Sequence, residues 1–228
     1  MKKFYILFFI ILFISCKKEI KLPRSFKNIL ILGNSITIHV PDASIGWYGN
    51  WGMAATSKDK DYVHVLEKLT RASIQPVNIS GWENSPLTFD LSILDKHLLN
   101  NPDLVLIRLG ENIRDPKNLY PSLEALLNKI KTSSPASKIM ITGTFWLNTH
   151  VTAILEDFAN QNGLMFVPLS HLARNENISF IGDLIKGEDG LIHSVTNQEV
   201  ADHPGDAGMQ KIAEAIALKI EELNLKSF

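Results

Sequence analysis

The sequence has little cysteine, no cluster of basic residues and no apolar run long enough to remain in a membrane as a helix. Only one of its 228 residues is a cysteine, so no disulfide within the chain can stabilise the fold. The formal net charge is -1, and no stretch of the chain concentrates Lys and Arg as nucleic-acid-binding proteins do. The apolar core must therefore stabilise the protein, and the composition is compatible with a small, uncharged or weakly charged ligand rather than a nucleic acid.

The N-terminal residues are typical of a secretion signal. Two lysines precede an apolar run from Phe4 to Ile14 that is too short to span a bilayer. The one cysteine, Cys16, ends this run as in a bacterial lipoprotein, whose cysteine is lipidated after cleavage. Cleavage by an ordinary signal peptidase is the alternative, since Phe13 is unusual three positions before a lipidated cysteine.

These features predict three parts of the chain. We expect a signal peptide over 1–15, a lipid-anchored tether over 16–27 that Pro23 interrupts, and one globular domain over 28–228. A domain of this length can bury a core large enough to fold without disulfides. The predicted location is the bacterial cell envelope, periplasmic or surface-exposed, with membrane contact through the lipid on Cys16.

Within the predicted domain, five short apolar segments alternate with segments of helical periodicity. The apolar segments read as buried strands and lie at 28–35, 72–80, 103–110, 138–145 and 163–169. Helices are predicted over 58–71, which Ser57 can cap, and over 87–100, 119–131, 148–162 and 209–223. This alternation predicts an α/β fold with a mostly parallel sheet and helices on both of its faces.

Polar residues follow three of the predicted strands and precede the last predicted helix. Ser35, Gly81 and Asn112 stand at the ends of the first three strands, and His203 stands just ahead of the last helix. Ligands of parallel sheets bind outside the carboxyl ends of the strands, so these residues are expected to lie together. Taken singly, each residue also fits a structural role in a turn, a loop or a helix start.

Together, the four residues match the needs of ester cleavage. A hydroxyl must attack the carbonyl carbon, a base must take the hydroxyl proton, and N–H donors must stabilise the resulting oxyanion. Ser35 supplies the hydroxyl, and the neutral imidazole of His203 supplies the base. The backbone N–H groups of Ser35 and Gly81 and the side-chain amide of Asn112 are the candidate oxyanion donors.

Four blocks in this order resemble those of the SGNH hydrolases, in the GDSL esterase and lipase superfamily. The blocks are ILILGNSIT for the serine, NISG for the glycine, LGEN for the asparagine and HPGDAG for the histidine. The resemblance implies a three-layer α/β/α sandwich around a flavodoxin-like, five-stranded parallel sheet. It implies Ser35 as nucleophile, His203 as base, and an oxyanion hole from Ser35, Gly81 and Asn112. No metal and no organic cofactor is implied.

The sequence departs from the family's pattern beside the histidine. Most members carry an aspartate three residues before it, which holds the imidazole in the correct tautomer. Here that position is Val200, so a backbone carbonyl, Glu199 or Asp202 must take over the role. In addition, Asn34 replaces the aspartate of the usual GDS triplet, which keeps the side chain's shape and removes its charge.

A long loop after Ser35 gives an indication of the kind of substrate. It carries Trp47, Tyr48 and Trp51, and Trp82 follows the oxyanion glycine. These rings could stack on a sugar, or they could pack the loop onto the domain. Because the loop resembles that of carbohydrate acetylesterase-like members, the expected substrate is a small-molecule or polysaccharide ester, with acetyl as the acyl group.

Two other kinds of protein fit parts of the pattern. A flavodoxin-like binding protein would hold a phosphate in the loop after the first strand, but here some twenty residues that include Pro41 separate Ser35 from the next helix. A catalytically inactive relative that only binds glycans would explain the missing aspartate. Turnover of an acetate ester distinguishes the esterase from this binder.

Overall fold

The computed structural model describes residues 26–226. The predicted signal peptide, the lipidation of Cys16 and all but the end of the predicted tether lie outside the described residues and stay predictions. Within the described range, no helix combines the length and apolar character needed to cross a membrane.

The centre of the domain is a five-stranded parallel sheet whose strands lie in the order β2-β1-β3-β4-β5. The strands are β1 (Asn28–Gly33), β2 (Ser73–Asn78), β3 (Leu104–Ile107), β4 (Lys138–Thr142) and β5 (Met165–Val167). All five fall within predicted segments, which confirms the flavodoxin-like sheet. Since β1 lies between β2 and β3, the chain changes its direction of travel across the sheet there, and ligands of such folds bind at that switch point.

Seven helices and a small hairpin complete the described part of the chain. The helices are α1 (Tyr62–Thr70), α2 (Ser80–Asn84), α3 (Asp95–Leu98), α4 (Leu119–Ser133), α5 (Thr149–Gln161), α6 (Gln198–Ala201) and α7 (Asp206–Lys226). The hairpin, which the sequence did not predict, pairs β6 (Leu184–Lys186) with β7 (Ile192–Ser194).

The sheet separates two apolar cores. Successive residues of a strand point to opposite faces, so Ile29 and Ile31 of β1 join the core beneath α1 and α7. Leu30 and Leu32 join the core beneath α4 and α5. Burial on both faces explains why β1 reads as a continuous apolar run, and it confirms the three-layer α/β/α sandwich.

The first helix begins later than predicted because a different residue caps it. Ser57 makes no capping hydrogen bond and instead precedes a 3₁₀ turn at Lys58–Lys60. Asp61 is buried, and its Oδ1 accepts the backbone N–H of His64 at 2.8 Å, which starts α1 at the next residue. The prediction of Ser57 as the cap was therefore wrong.

The prediction of a helix over 87–100 is also mostly wrong. Asp90 accepts the backbone N–H of Ser92 at 2.9 Å and starts a 3₁₀ turn at Leu91–Leu94, and only the short α3 follows it.

One contact ties the loop after Ser35 to the start of α7. The carboxylate of Asp206 accepts the backbone N–H of Thr56 at 2.8 Å and the Thr56 hydroxyl at 2.7 Å. Asp206 is also the first residue of α7, where a negative charge interacts favourably with the helix dipole. This pair therefore holds together two parts of the chain that are 150 residues apart.

We expect Asp206→Ala to lower the free energy of unfolding by about 1–2 kcal/mol, because two hydrogen bonds to a charged acceptor are lost. Urea denaturation measures the change. Asp59→Ala is a matched control: Asp59 accepts a hydrogen bond from Ser57 in the same loop but is exposed, so its loss should cost less than about 0.5 kcal/mol. Equal losses in both variants would show that the Thr56 contact contributes nothing.

Candidate active site

Ser35 lies in a tight turn directly after β1. The carbonyl oxygen of Asn34 accepts the N–H groups of Thr37 and Ile38 at 2.9 and 3.1 Å. A Cβ on Gly33 would lie 1.9 Å from the Thr37 hydroxyl oxygen, so only glycine fits before the turn. The partly exposed Ser35 thus lines a cleft of about 700 Å³ at the carboxyl ends of the strands.

His203 approaches Ser35 from the far end of the chain, between α6 and α7. Its Nε2 lies 2.8 Å from Ser35 Oγ, although 168 residues separate the two. The residue is 7% exposed, its carbonyl accepts the N–H of Ser179 at 2.9 Å, and its own N–H donates to the carbonyl of Val200. The structure therefore brings the predicted nucleophile and base into direct contact.

Neither acidic neighbour in the sequence has its carboxylate hydrogen-bonded to the imidazole. Glu199 is exposed, and Asp202 accepts a hydrogen bond from the Gln198 amide at 2.7 Å. Val200 is buried in the core. Among the described residues, Nδ1 of His203 has no partner in hydrogen-bonding geometry, although the backbone carbonyl of Glu199 is an acceptor whose influence raises the pKa of the ring.

Burial dominates the titration of His203. Removal of the imidazole from water disfavours its charged form and lowers its pKa to about 4, although the carbonyl of Glu199 opposes the shift. Electrostatic interactions with His39 and Arg108 lower the pKa of His203 further, and the interaction with Asp202 raises it. The ring is therefore neutral at pH 7, and in the tautomer with the proton on Nδ1 its Nε2 accepts the Ser35 hydroxyl proton.

The three predicted oxyanion donors lie at the ends of β1, β2 and β3. The backbone N–H groups of Ser35 and Gly81 donate to no acceptor within the described residues, and that of Gly81 lies in the first turn of α2, where helices leave such groups free. Asn112 lines the same cleft as Ser35. Its Nδ2 donates one hydrogen to Glu83 Oε2 at 2.6 Å, which leaves the second hydrogen free.

A buried polar cluster, formed by Asn34, Glu83, Arg108 and Glu111, lies behind the cleft. The fully buried Arg108 donates to Glu111 Oε1 at 3.0 Å and to Asn34 Oδ1 at 3.2 Å. The amide of Asn34 donates to Glu111 Oε2 at 2.9 Å and to Glu83 Oε1 at 3.2 Å. One side-chain amide thus connects an arginine with two carboxylates.

The cluster explains why asparagine occupies position 34. Burial raises the pKa of Glu83, and the nearby carboxylate of Glu111 raises it further, because one guanidinium faces two acidic groups. An aspartate at position 34 would add a third carboxylate and could not donate to the other two. Asn34 is therefore the neutral donor that this pair of acidic residues requires.

Trp146 is a cleft residue that the sequence analysis missed. It follows β4, is partly exposed, and lines the cleft with Ser35 and His203. Its ring meets that of His203 edge to face at a centroid distance of 5.2 Å, and its Nε1 donates to the carbonyl of Asp202 at 2.8 Å. Its position at the end of the fourth strand was the signal that could have identified it.

The aromatic residues that the sequence offered as stacking partners for a sugar pack against the rest of the protein instead. Trp47, Trp51 and Trp82 are each at most 5% exposed and none of them lines the cleft beside Ser35, so the packing alternative holds for them. Tyr48 stacks on His193 of the hairpin at a centroid distance of 3.7 Å. Trp146 is therefore the aromatic side chain that the cleft offers to a ligand.

No group of three or more His, Cys, Asp or Glu side chains in the described part of the chain is placed to hold a metal ion.

Sequence comparison finds no matching family model and no matching curated protein. Solved structures do match in fold. They include a possible lipase from Chitinophaga pinensis, at 17% identity and a TM-score of 0.53, with 87% of this chain and 99% of that one covered. A family two carbohydrate esterase from Cellvibrio japonicus matches at 16% identity and a TM-score of 0.54, over 89% of this chain and 62% of that one.

A two-domain esterase active on acetylated mannans also matches, at 19% identity and a TM-score of 0.55. The match covers 87% of this chain and 50% of that one. At these identities the likeness lies in the fold, and it agrees with the SGNH resemblance of the four sequence blocks.

Asn34→Asp should destabilise the protein by about 3 kcal/mol at pH 8, because it places a third carboxylate in a cluster with one guanidinium and removes the hydrogen bonds that the Asn34 amide donates to Glu83 and Glu111. Burial will raise the pKa of the introduced carboxyl group, so the folded state will bind more protons than the unfolded state, and the deficit relative to wild type will shrink as the pH falls toward 5. Thermal unfolding of both proteins at both pH values tests this. A deficit that is small or independent of pH would contradict the electrostatic role of Asn34.

Proposed function

We propose that this protein is a serine esterase of the SGNH type that hydrolyses small acyl esters, in particular acetyl esters of carbohydrates. The observation that carries the proposal is the 2.8 Å contact between Ser35 Oγ and His203 Nε2. A neutral imidazole at this distance can accept the hydroxyl proton as the serine attacks.

The reaction follows from these groups. Ser35 Oγ attacks the ester carbonyl carbon while His203 Nε2 takes its proton, and the N–H donors of Ser35, Gly81 and Asn112 stabilise the oxyanion. The intermediate collapses, His203 returns the proton to the leaving alcohol, and an acyl group remains on Ser35. Water then attacks the acyl group with His203 again as base, which releases the acid and restores the serine.

The proposed site is a dyad supported by a backbone carbonyl. Of the three candidates for the group that orients His203, the backbone carbonyl of Glu199 fits best. The carboxylate of Asp202 instead accepts a hydrogen bond from the Gln198 amide. A carbonyl acceptor favours the tautomer with the proton on Nδ1, but it adds no negative charge to stabilise the imidazolium.

Polar side chains in the cleft support a carbohydrate substrate. Asn84, Asn175 and Arg174 line it and can bond sugar hydroxyl groups, and Trp146 offers a partly exposed ring. Of the structures with this fold, one is described as a family two carbohydrate esterase and another as an esterase active on acetylated mannans.

Ser35→Ala and His203→Ala should each abolish the hydrolysis of p-nitrophenyl acetate, because the nucleophile or its base is lost. Glu199→Gln is the matched control: its exposed carboxylate contacts no catalytic group, so turnover should stay within about twofold of wild type. Absorbance of released nitrophenol measures the rates. An inactive wild type would favour the glycan-binding alternative, and a hundredfold loss in Glu199→Gln would identify that side chain as the orienting group.

The pH dependence of kcat/KM should reflect the low pKa of His203. The imidazole must be neutral to act as a base, so activity should persist below pH 6 and decline as the pH falls through about 4. The stability contribution of the neutral buried ring has the same sign: it is complete above about pH 6.5, the ordinary pKa of histidine, and is lost as the pH falls toward the folded-state value. Initial rates with a circular dichroism control separate the two effects. Half-maximal activity near pH 6.5 would show that burial does not control this histidine.

A further inference from the structure

The carboxylate of Glu83, a residue outside the four sequence blocks, accepts hydrogen bonds from Asn34, Gly110 and Asn112. Its Oε1 accepts the backbone N–H of Gly110 at 2.6 Å and the amide of Asn34 at 3.2 Å, with a longer contact of 3.4 Å from the backbone N–H of Asn112. Its Oε2 accepts the side-chain amide of Asn112 at 2.6 Å. Burial and the charge of Glu111 raise the pKa of Glu83, but the hydrogen bonds from Asn112, Gly110 and Asn34 oppose that shift. All of these neighbours are donors, so they favour the ionised carboxylate, which accepts at both oxygens.

These contacts determine how the amide of Asn112 is oriented. An amide can rotate by half a turn and exchange its oxygen with its nitrogen at little cost when nothing distinguishes them. Here Glu83 Oε2 accepts only from nitrogen, so Nδ2 is fixed on the side of Glu83. The same carboxylate holds the backbone of Gly110 and Asn112, and Gly110 has a φ of +130° that glycine adopts readily.

We propose that Glu83 is a positioning residue that fixes the Asn112 amide with its free N–H toward the oxyanion. This inference rests on the proposed function, and it assigns a role to a buried acidic residue that does not touch the substrate. Glu83 lies two residues after Gly81 in α2, so a single short helix supplies one oxyanion donor and orients another.

Glu83→Gln tests this role with almost no change of shape. The glutamine oxygen can still accept from Gly110 and Asn34, but its NH₂ group then faces the NH₂ group of Asn112. The Asn112 amide must rotate to bond with it, which places a carbonyl oxygen where an N–H donor stood. The substitution therefore does more than remove a charge. It replaces the N–H donor of Asn112 that faces the oxyanion with a carbonyl oxygen, which repels it.

The experiment is a double-mutant cycle on kcat for p-nitrophenyl acetate. Glu83→Gln should lower kcat about 100-fold with little change in KM, as removal of an oxyanion donor does. In an Asn112→Ala background the same substitution should change kcat by less than about twofold, since no amide is left to orient. Equal effects of Glu83→Gln in both backgrounds would overturn the proposal.

Glu111→Gln is the matched control. It removes the same charge from the same buried polar cluster, but Glu111 accepts from Arg108, Asn34 and the backbone of Phe145 and not from Asn112. Its effect on kcat should be at least about tenfold smaller than that of Glu83→Gln, even if it destabilises the protein more. A larger kcat loss in Glu111→Gln would attribute the effect to the cluster as a whole and overturn the specific role of Glu83.

A measurement without turnover separates this proposal from the proposed function. In a nitrogen-15 NMR spectrum of wild type, the side-chain amide of Asn112, identified by its absence in Asn112→Ala, should show one proton shifted well downfield by its carboxylate acceptor. Two amide protons at ordinary positions would overturn the positioning role, whether or not Glu83→Gln folds. A downfield proton in a wild type that hydrolyses no ester would support the role of Glu83 and contradict the esterase.

Discussion

The structure behind the cleft depends on the burial of one positive charge. Arg108 follows the central strand β3, is completely buried, and has its guanidinium 5.6 Å from the ring centre of Tyr62. A charge taken out of water is costly unless it is paired and hydrogen-bonded. Glu111 and Asn34 supply that pairing, and in the chain they directly precede two residues of the candidate site, Asn112 and Ser35.

Much of the fold was predictable because the pattern of apolar residues along the sequence indicates which positions are buried. The five strands are continuous apolar runs, and burial between two helical layers requires such runs, so their positions were correct. Helix boundaries were less predictable, because Ser57 and Asp61 are both good capping residues and only tertiary contacts decide between them. Asp61 is buried and also accepts the N–H of Gly52, which no local pattern shows.

Some residues of the candidate site were likewise predictable from the sequence, and others were not. The positions of Ser35, Gly81, Asn112 and His203 were predictable because each stands at the boundary of a regular element, where parallel sheets place their ligands. Their catalytic roles stay predictions. Trp146 stands at such a boundary too, but it was overlooked in favour of the tryptophans near Ser35, which proved to be buried. Glu83 could not be identified from spacing, since its partners come from two other segments of the chain, one after β1 and one after β3.

The separation of Ser35 and His203 along the chain has a consequence for biosynthesis. Ser35 follows the first strand and His203 precedes the last helix, 168 residues later, so a chain still on the ribosome carries Ser35 before His203 has been made. Contacts of such high sequence separation form late, after most of the loop entropy has been overcome. The two side chains of the proposed catalytic pair can therefore meet only when the C-terminal segment has been made and has docked on the rest of the domain.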